Sequence, residues 1–172
     1  TGFGGKVSER LREIFDLRES PGLMDGLAAA GKQPEEIDTV ILTHLHQDHA
    51  GGTTRSTGSG YELAFPNARH IVQAGEWHDA TEADGQTVNA YRSEEVLVPL
   101  ERSGKLDLVD GDSDLGNGIQ LILTPGHTRA HQSVLIQDSG QSLFYVGDLV
   151  PTASHLKPIY VMAYDLYPRE TY

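Results

Sequence analysis

Residues 43–52 read THLHQDHAGG, placing His44, His46, Asp48 and His49 within six positions of a chain that has 8 histidines in all. The β-branched run TVILT, residues 39–43, leads into this stretch and predicts a strand. On an extended segment His44 and His46 stand two apart, so both imidazoles can turn to one side and grip one ion. Asp48 and His49 follow in the turn with a carboxylate and another ring nitrogen. Four donors on so short a segment exceed the needs of one metal that must also hold water, so two adjacent ions are the natural reading. Gly51 and Gly52 would let the backbone turn away sharply.

Working outward, two more donors fall in matching places. The strand-like IQLILT (119–124) runs through Pro125 and Gly126 into His127, and SLFYVG (142–147) runs into Asp148. Three predicted strands thus each deliver a ligand-type residue at their carboxyl end, the edge where open α/β sheets place their sites. With no cysteine, any metal must be held by nitrogen and oxygen. His70 and His78 have no partner motif and read as ordinary histidines. The single Trp77 reads as packing.

The rest of the chain supplies a frame. Val7, Leu11, Ile14 and Phe15 recur at helical spacing behind a possible Ser8 cap, PGLMDGLAAAG predicts a short helix ending at Gly31, and QPEEID predicts a helical turn. GGTTRSTGSG (51–60) reads as a flexible loop, FPNARHIVQ as a turn then a strand, and 75–103 as partly helical. KLDLV precedes the strands at 119–124, 133–138 and 142–147. Alternation early and strands late fit a layered α/β domain, a single one at 172 residues. With 38% hydrophobic and 22% charged residues the composition is that of a water-soluble globular protein. No apolar run approaches membrane length, and no leader is visible, so a cytoplasmic location is expected. The net charge of −12 argues against a nucleic-acid partner and leaves a small molecule as the expected one.

THLHQDHAGG, TPGHT around His127 and GD at Asp148 together resemble the metallo-β-lactamase superfamily of binuclear metallohydrolases, in the family's order. TGFGG at residues 1–5 is similar to the end of its Asp-Thr-Gly turn. The resemblance implies a four-layer αβ/βα sandwich, two mixed sheets face to face with helices outside and metals at one edge. It implies that His44, His46 and His127 bind the first metal, Asp48 and His49 the second, and Asp148 both. His131 is then a group behind the ligands. The strands that come first in the family and its last histidine ligand have no counterpart here, His155 lying too close to Asp148, so the chain reads as part of a longer domain.

The implied chemistry is hydrolysis of an ester, lactone or related carbonyl by a hydroxide held between two divalent ions, zinc first, with manganese, iron or cobalt also suited to the donors. Asp48 would orient the nucleophile and carry its proton. Quorum-quenching lactonases share the pattern of His127, His131, Gln132 and Ser133, but where they carry a tyrosine this chain has Pro151. GDLVPTASHL lies where related esterase branches line their pockets, which makes His155, Tyr160 and Tyr164 candidates for a substrate wall. The alternatives are a glyoxalase II-like thioesterase and a metal-binding module without catalysis.

Overall fold

A computed structural model describes residues 1–18, 22–85 and 87–172. Helix α1 (Glu9–Ile14) starts where the Ser8 hydroxyl accepts the Leu11 N–H at 3.4 Å, and α2 (Leu23–Ala29) starts where the Asp25 carboxylate accepts the Gly22 N–H at 2.8 Å. A 3-10 turn at Pro34–Glu36 leads to β1 (Thr39–Ile41), after which α3 (Gln47–Ala50) carries the second half of the histidine motif. β2 (Thr54–Ser56) and β3 (Tyr61–Leu63) form an antiparallel hairpin. This corrects the flexible-loop reading of 51–60: Thr54 is buried and its hydroxyl donates to the Glu95 carbonyl, which fixes a segment that looks structureless in sequence.

β4 (Arg69–Gln73) is followed by α4 (Ala74–Thr81), a π turn at Ser93–Leu97 and α5 (Val98–Arg102). Then come β5 (Leu106–Val109), β6 (Ser113–Gly116), β7 (Ile119–Leu123), β8 (Gln132–Asp138), β9 (Gln141–Tyr145) and, near the carboxyl end, α6 (Pro168–Thr171). The order β1-β4-β5 makes a parallel sheet and β6-β7-β8-β9 an antiparallel one. Each described sheet is therefore of one kind, where the resemblance implied mixed sheets.

Both faces of the parallel sheet are buried, as β4 shows by alternation. Val72 packs with Val40, Leu42, Leu97 and Leu100 beneath the helices, while Ile71 packs with Leu121 and Val134 between the sheets. Side chains reinforce that second contact. Gln73 of β4 donates to Gln132 Oε1 of β8 at 2.9 Å, and Gln132 donates to the Leu42 carbonyl at 2.8 Å, so two buried amides join the sheets with their hydrogen bonds made inside. The outer end of the antiparallel sheet is bare: Leu143, Phe144 and Tyr145 of β9 are all exposed, and consecutive strand residues point to opposite faces.

His70 has the parity of Val72 and is fully buried, with neither ring nitrogen hydrogen-bonded. Burial, opposed by the Ala68 backbone and aided by the Lys105 charge, pushes its pKa down to about 4. The unfolded chain takes up a proton here below about 6.5, whereas the folded protein does not until about 4. The stability tied to the neutral ring is thus whole above that window and lost as pH falls through it. His70→Leu is expected to remove this loss, its urea midpoint gaining on the parent's between pH 7 and pH 4.5. A difference constant across that range would contradict the assignment.

Candidate metal centre

The centre is assembled where β1 leaves the parallel sheet. Leu42 and Leu45 are buried, the Leu42 N–H donates to the Ile71 carbonyl at 3.0 Å, and the Leu45 N–H donates to Glu76 Oε1 at 2.9 Å. Those anchors leave the intervening His44 and the following His46 turned to a common point with His127, which stands in the loop after β7. The ring centroids of His44 and His46 are 4.6 Å apart, and His127 is 4.8 Å from each. His46 Nδ1 and His127 Nε2 approach to 3.0 Å, and one nitrogen from each of the three rings lies within 4.8 Å of the others. A tetrahedral ion with nitrogen ligands at about 2.0–2.1 Å needs donors roughly 3.3 Å apart. The convergence fits one.

A second group joins His44, His49 and Asp148. Asp148 Oδ1 is 3.0 Å from His49 Nε2, while Oδ2 is 3.3 Å from His127 Nε2 and 3.9 Å from His44 Nε2. One carboxylate therefore faces both groups. Asp48 is further out, half exposed, with Oδ2 3.4 Å from His49 Nε2. His44 Nε2 is buried with no hydrogen-bond partner, an orphaned lone pair aimed into the cluster. These donors fit divalent cations.

Electrostatics keeps His44 and His46 neutral. Burial, then the neighbouring imidazoles, holds His44 well below its ordinary value, and burial followed by His127 takes His46 down to about 4. At His49 burial works in the same direction but is outweighed by hydrogen bonds and charge from Asp148 and Asp48, which raise it to about 9. Burial likewise opposes ionisation of Asp48 and Asp148, and His49 reverses it, so both carboxyls lie below their ordinary range.

Three glycines show how tightly the loops meet. The Gly51-Gly52 pair has another reason than the sharp turn expected from sequence: Gly51 and its cap are helical, and a Cβ on Gly51 or Gly52 would run into the carbonyls of Phe3 and Thr1. Thr1 Oγ1 donates to the His49 carbonyl at 2.7 Å across the same contact. Gly147, just before Asp148, has φ +53, and a Cβ there would stand 2.7 Å from His131 Nε2.

His131 itself is buried behind the ligands, with Nδ1 2.9 Å from Thr124 Oγ1. The other pocket candidates are not drawn in. His155 Nδ1 pairs with Thr152 Oγ1 at 2.8 Å, the Tyr160 ring lies 5.8 Å from Lys157 Nζ, and Tyr164 is 79% exposed.

Two buried carboxylates do contact the site and have no local sequence signal. Glu76 of α4 accepts the Leu45 N–H and, through Oε2, the Thr128 hydroxyl at 2.6 Å. Asp165 Oδ1 lies 3.1 Å from His127 Nδ1.

Comparison with known families now gives one answer: the family model of the metallo-β-lactamase superfamily matches residues 1–171. The chain belongs to that superfamily. Among relatives of this metallo-β-lactamase chain, an N-acyl homoserine lactonase from a Bacillus species is 34% identical over 121 residues, 70% of this chain and 41% of that one. The chain therefore spans less than half of that relative's length. Among solved structures, a probable metal-dependent hydrolase from Staphylococcus aureus superposes with a TM-score of 0.89 at 32% identity, covering 99% of this chain and 60% of that one. AidC, described as a dizinc quorum-quenching lactonase in complex with its product N-hexanoyl-L-homoserine, superposes at 0.72 with 25% identity, covering 99% and 59%.

Gly147→Ala is expected to cost about 1–2 kcal/mol for the left-handed backbone alone, plus the collision with His131. Joined to His131→Ala the collision with the ring disappears and only the tight contact with Thr43 stays, so the double variant should lose less stability than the sum of the singles. Urea unfolding of the four proteins measures this, and additive losses would contradict the contact.

Proposed function

We propose that this chain carries the catalytic metal centre of a hydrolase that opens a lactone or cleaves a related ester. The observation that carries the reading is the Asp148 carboxylate, which sets one oxygen 3.0 Å from His49 Nε2 and the other 3.3 Å from His127 Nε2. The similarity to N-acyl homoserine lactonases supports lactones as the substrate class, and the similarity to a dizinc enzyme supports zinc as the metal.

His44, His46 and His127 would hold one ion, and His49, Asp48 and Asp148 would complete the place of a second, with Asp148 shared. Divalent ions bound there would acidify water and polarise the scissile carbonyl. The chain's own residues do the rest. The buried, proton-poor rings of His44 and His46 keep their lone pairs free for a cation at neutral pH. Asp48, held ionised by His49 and half open to solvent, accepts a hydrogen bond from the attacking water, orients it, and passes its proton toward the leaving oxygen. Pro151 has no hydroxyl to offer the substrate carbonyl, so in this reading the carbonyl is polarised without help from that position.

The test is to follow acid release from N-hexanoyl homoserine lactone, an aryl ester and a thioester by the whole protein carrying this chain. Ring opening that a chelator abolishes and zinc restores is expected. His46→Ala should lower bound zinc from two equivalents to one, and Asp148→Ala should reduce turnover by at least about 100-fold, in line with losing an electrostatic group at the reacting centre. Zinc bound in full without turnover of any of the three would favour the non-catalytic module instead. Preference for the thioester would favour the glyoxalase II-like reading.

A further inference from the structure

We infer that Asp165 is a positioning residue for the metal centre, fixing the tautomer and orientation of His127 from the side away from the ligands. The inference rests on the reading that His127 binds metal.

A neutral imidazole carries its proton on one nitrogen and its lone pair on the other. His127 turns Nε2 toward the cluster, 3.0 Å from His46 Nδ1 and 3.3 Å from Asp148, and Nδ1 toward Asp165 Oδ1 at 3.1 Å. A carboxylate oxygen there demands a hydrogen on Nδ1, which leaves the lone pair on Nε2, the nitrogen the cluster needs. The carboxylate is itself fixed. Its side chain is 1% exposed, and Oδ2 accepts the Thr171 hydroxyl at 2.8 Å.

The backbone shows that this contact is built in. The Leu166 N–H donates to the His127 carbonyl at 3.1 Å, and the Tyr167 N–H donates to the Gly126 carbonyl at 2.8 Å. α6 closes over the same spot so tightly that a Cβ on Gly126 would stand 2.8 Å from Thr171 Cα. Segment 165–171 is thus strapped to the ligand loop at three consecutive levels, and the one charged side chain it buries lands on the ligand ring. A mere helix cap would spend the carboxylate on backbone N–H groups of α6. Asp165 spends it on an imidazole and a hydroxyl.

The experiment compares the parent with Asp165→Asn, Asp165→Ala and, as a control for docking of the segment, Leu166→Ala. Nitrogen-15 NMR of the metal-free proteins reads the His127 tautomer, and competition titration reads zinc affinity. The parent and Leu166→Ala are expected to hold a single Nδ1–H tautomer and equal affinity. Asp165→Ala should mix tautomers and weaken the tighter zinc site by about 10–100-fold, with Asp165→Asn between. Asp165→Asn decides the matter if the alanine variant does not fold. Unchanged affinity and tautomer in the Asp165 variants would overturn the inference, as would an equal loss in Leu166→Ala. A parent that binds no zinc while keeping its tautomer would instead sink the metal reading, and this one with it.

Discussion

Glu76 holds the centre together. Its two carboxylate oxygens reach the Leu45 N–H and the Thr128 hydroxyl, so one side chain from α4 sets the spacing between the loop of His44 and His46 and the loop of His127. A buried carboxylate without a cation is costly to desolvate, and here burial raises its pKa against the donors that lower it, Thr128 first. The cost is tolerable because those hydrogen bonds are strong and fixed. What they buy is geometry: rings from distant parts of the chain meet at nitrogen separations a metal can span.

The architecture explains why a buried tie is needed at all. The candidate ligands come from two sheets of different kind, His44 and His46 from the end of a parallel strand, His127 and Asp148 from loops of an antiparallel sheet. Apolar contact between those sheets, through Ile71, Leu121 and Val134, is favourable but non-directional. It brings the sheets together without setting their register. Direction comes from polar groups, the Gln73–Gln132 pair, the Gln132 N–H on the Thr43 carbonyl at 2.9 Å, and Glu76. Each is satisfied inside the protein, so sliding one sheet over the other would break bonds that water cannot readily replace.

The candidate ligands are legible in the sequence because metal donors obey local spacing and sit at strand ends, where hydrophobic runs stop. His44, His46, His127 and Asp148 could be found from those two signals alone. Glu76 and Asp165 could not: each is one acidic residue in a polar surrounding, and its importance arises only when a distant segment folds against it. The same holds for His70, which reads as an ordinary histidine and is an unpaired buried ring. β2 lies in a run of Gly, Ser and Thr, and it and β3 are strands of three residues, too short to carry periodicity; their order comes from contacts such as Thr54 with Glu95. Gly51 and Gly52 were noticed for their freedom and matter for their smallness. His155, Tyr160 and Tyr164 rest on their position in the chain, and their contacts are with Thr152, with Lys157 and with solvent.

The cluster itself is under-satisfied in a way that selects its ligand. His46 Nδ1 and His127 Nε2 stand 3.0 Å apart while Asp165 faces the other nitrogen of His127, so without a cation the two rings meet only through the single N–H that a neutral His46 can carry on Nδ1. Burial holds His44 and His46 well below their ordinary pKa, so neither ring takes up a second proton at neutral pH. His44 Nε2 is buried beside them with no hydrogen-bond partner. A species that accepts three nitrogens and a carboxylate oxygen at once, carries more charge than a proton and is not lost near neutrality answers all of these demands together. A divalent cation has those properties, and because it binds only the folded arrangement, its binding free energy also stabilises the fold.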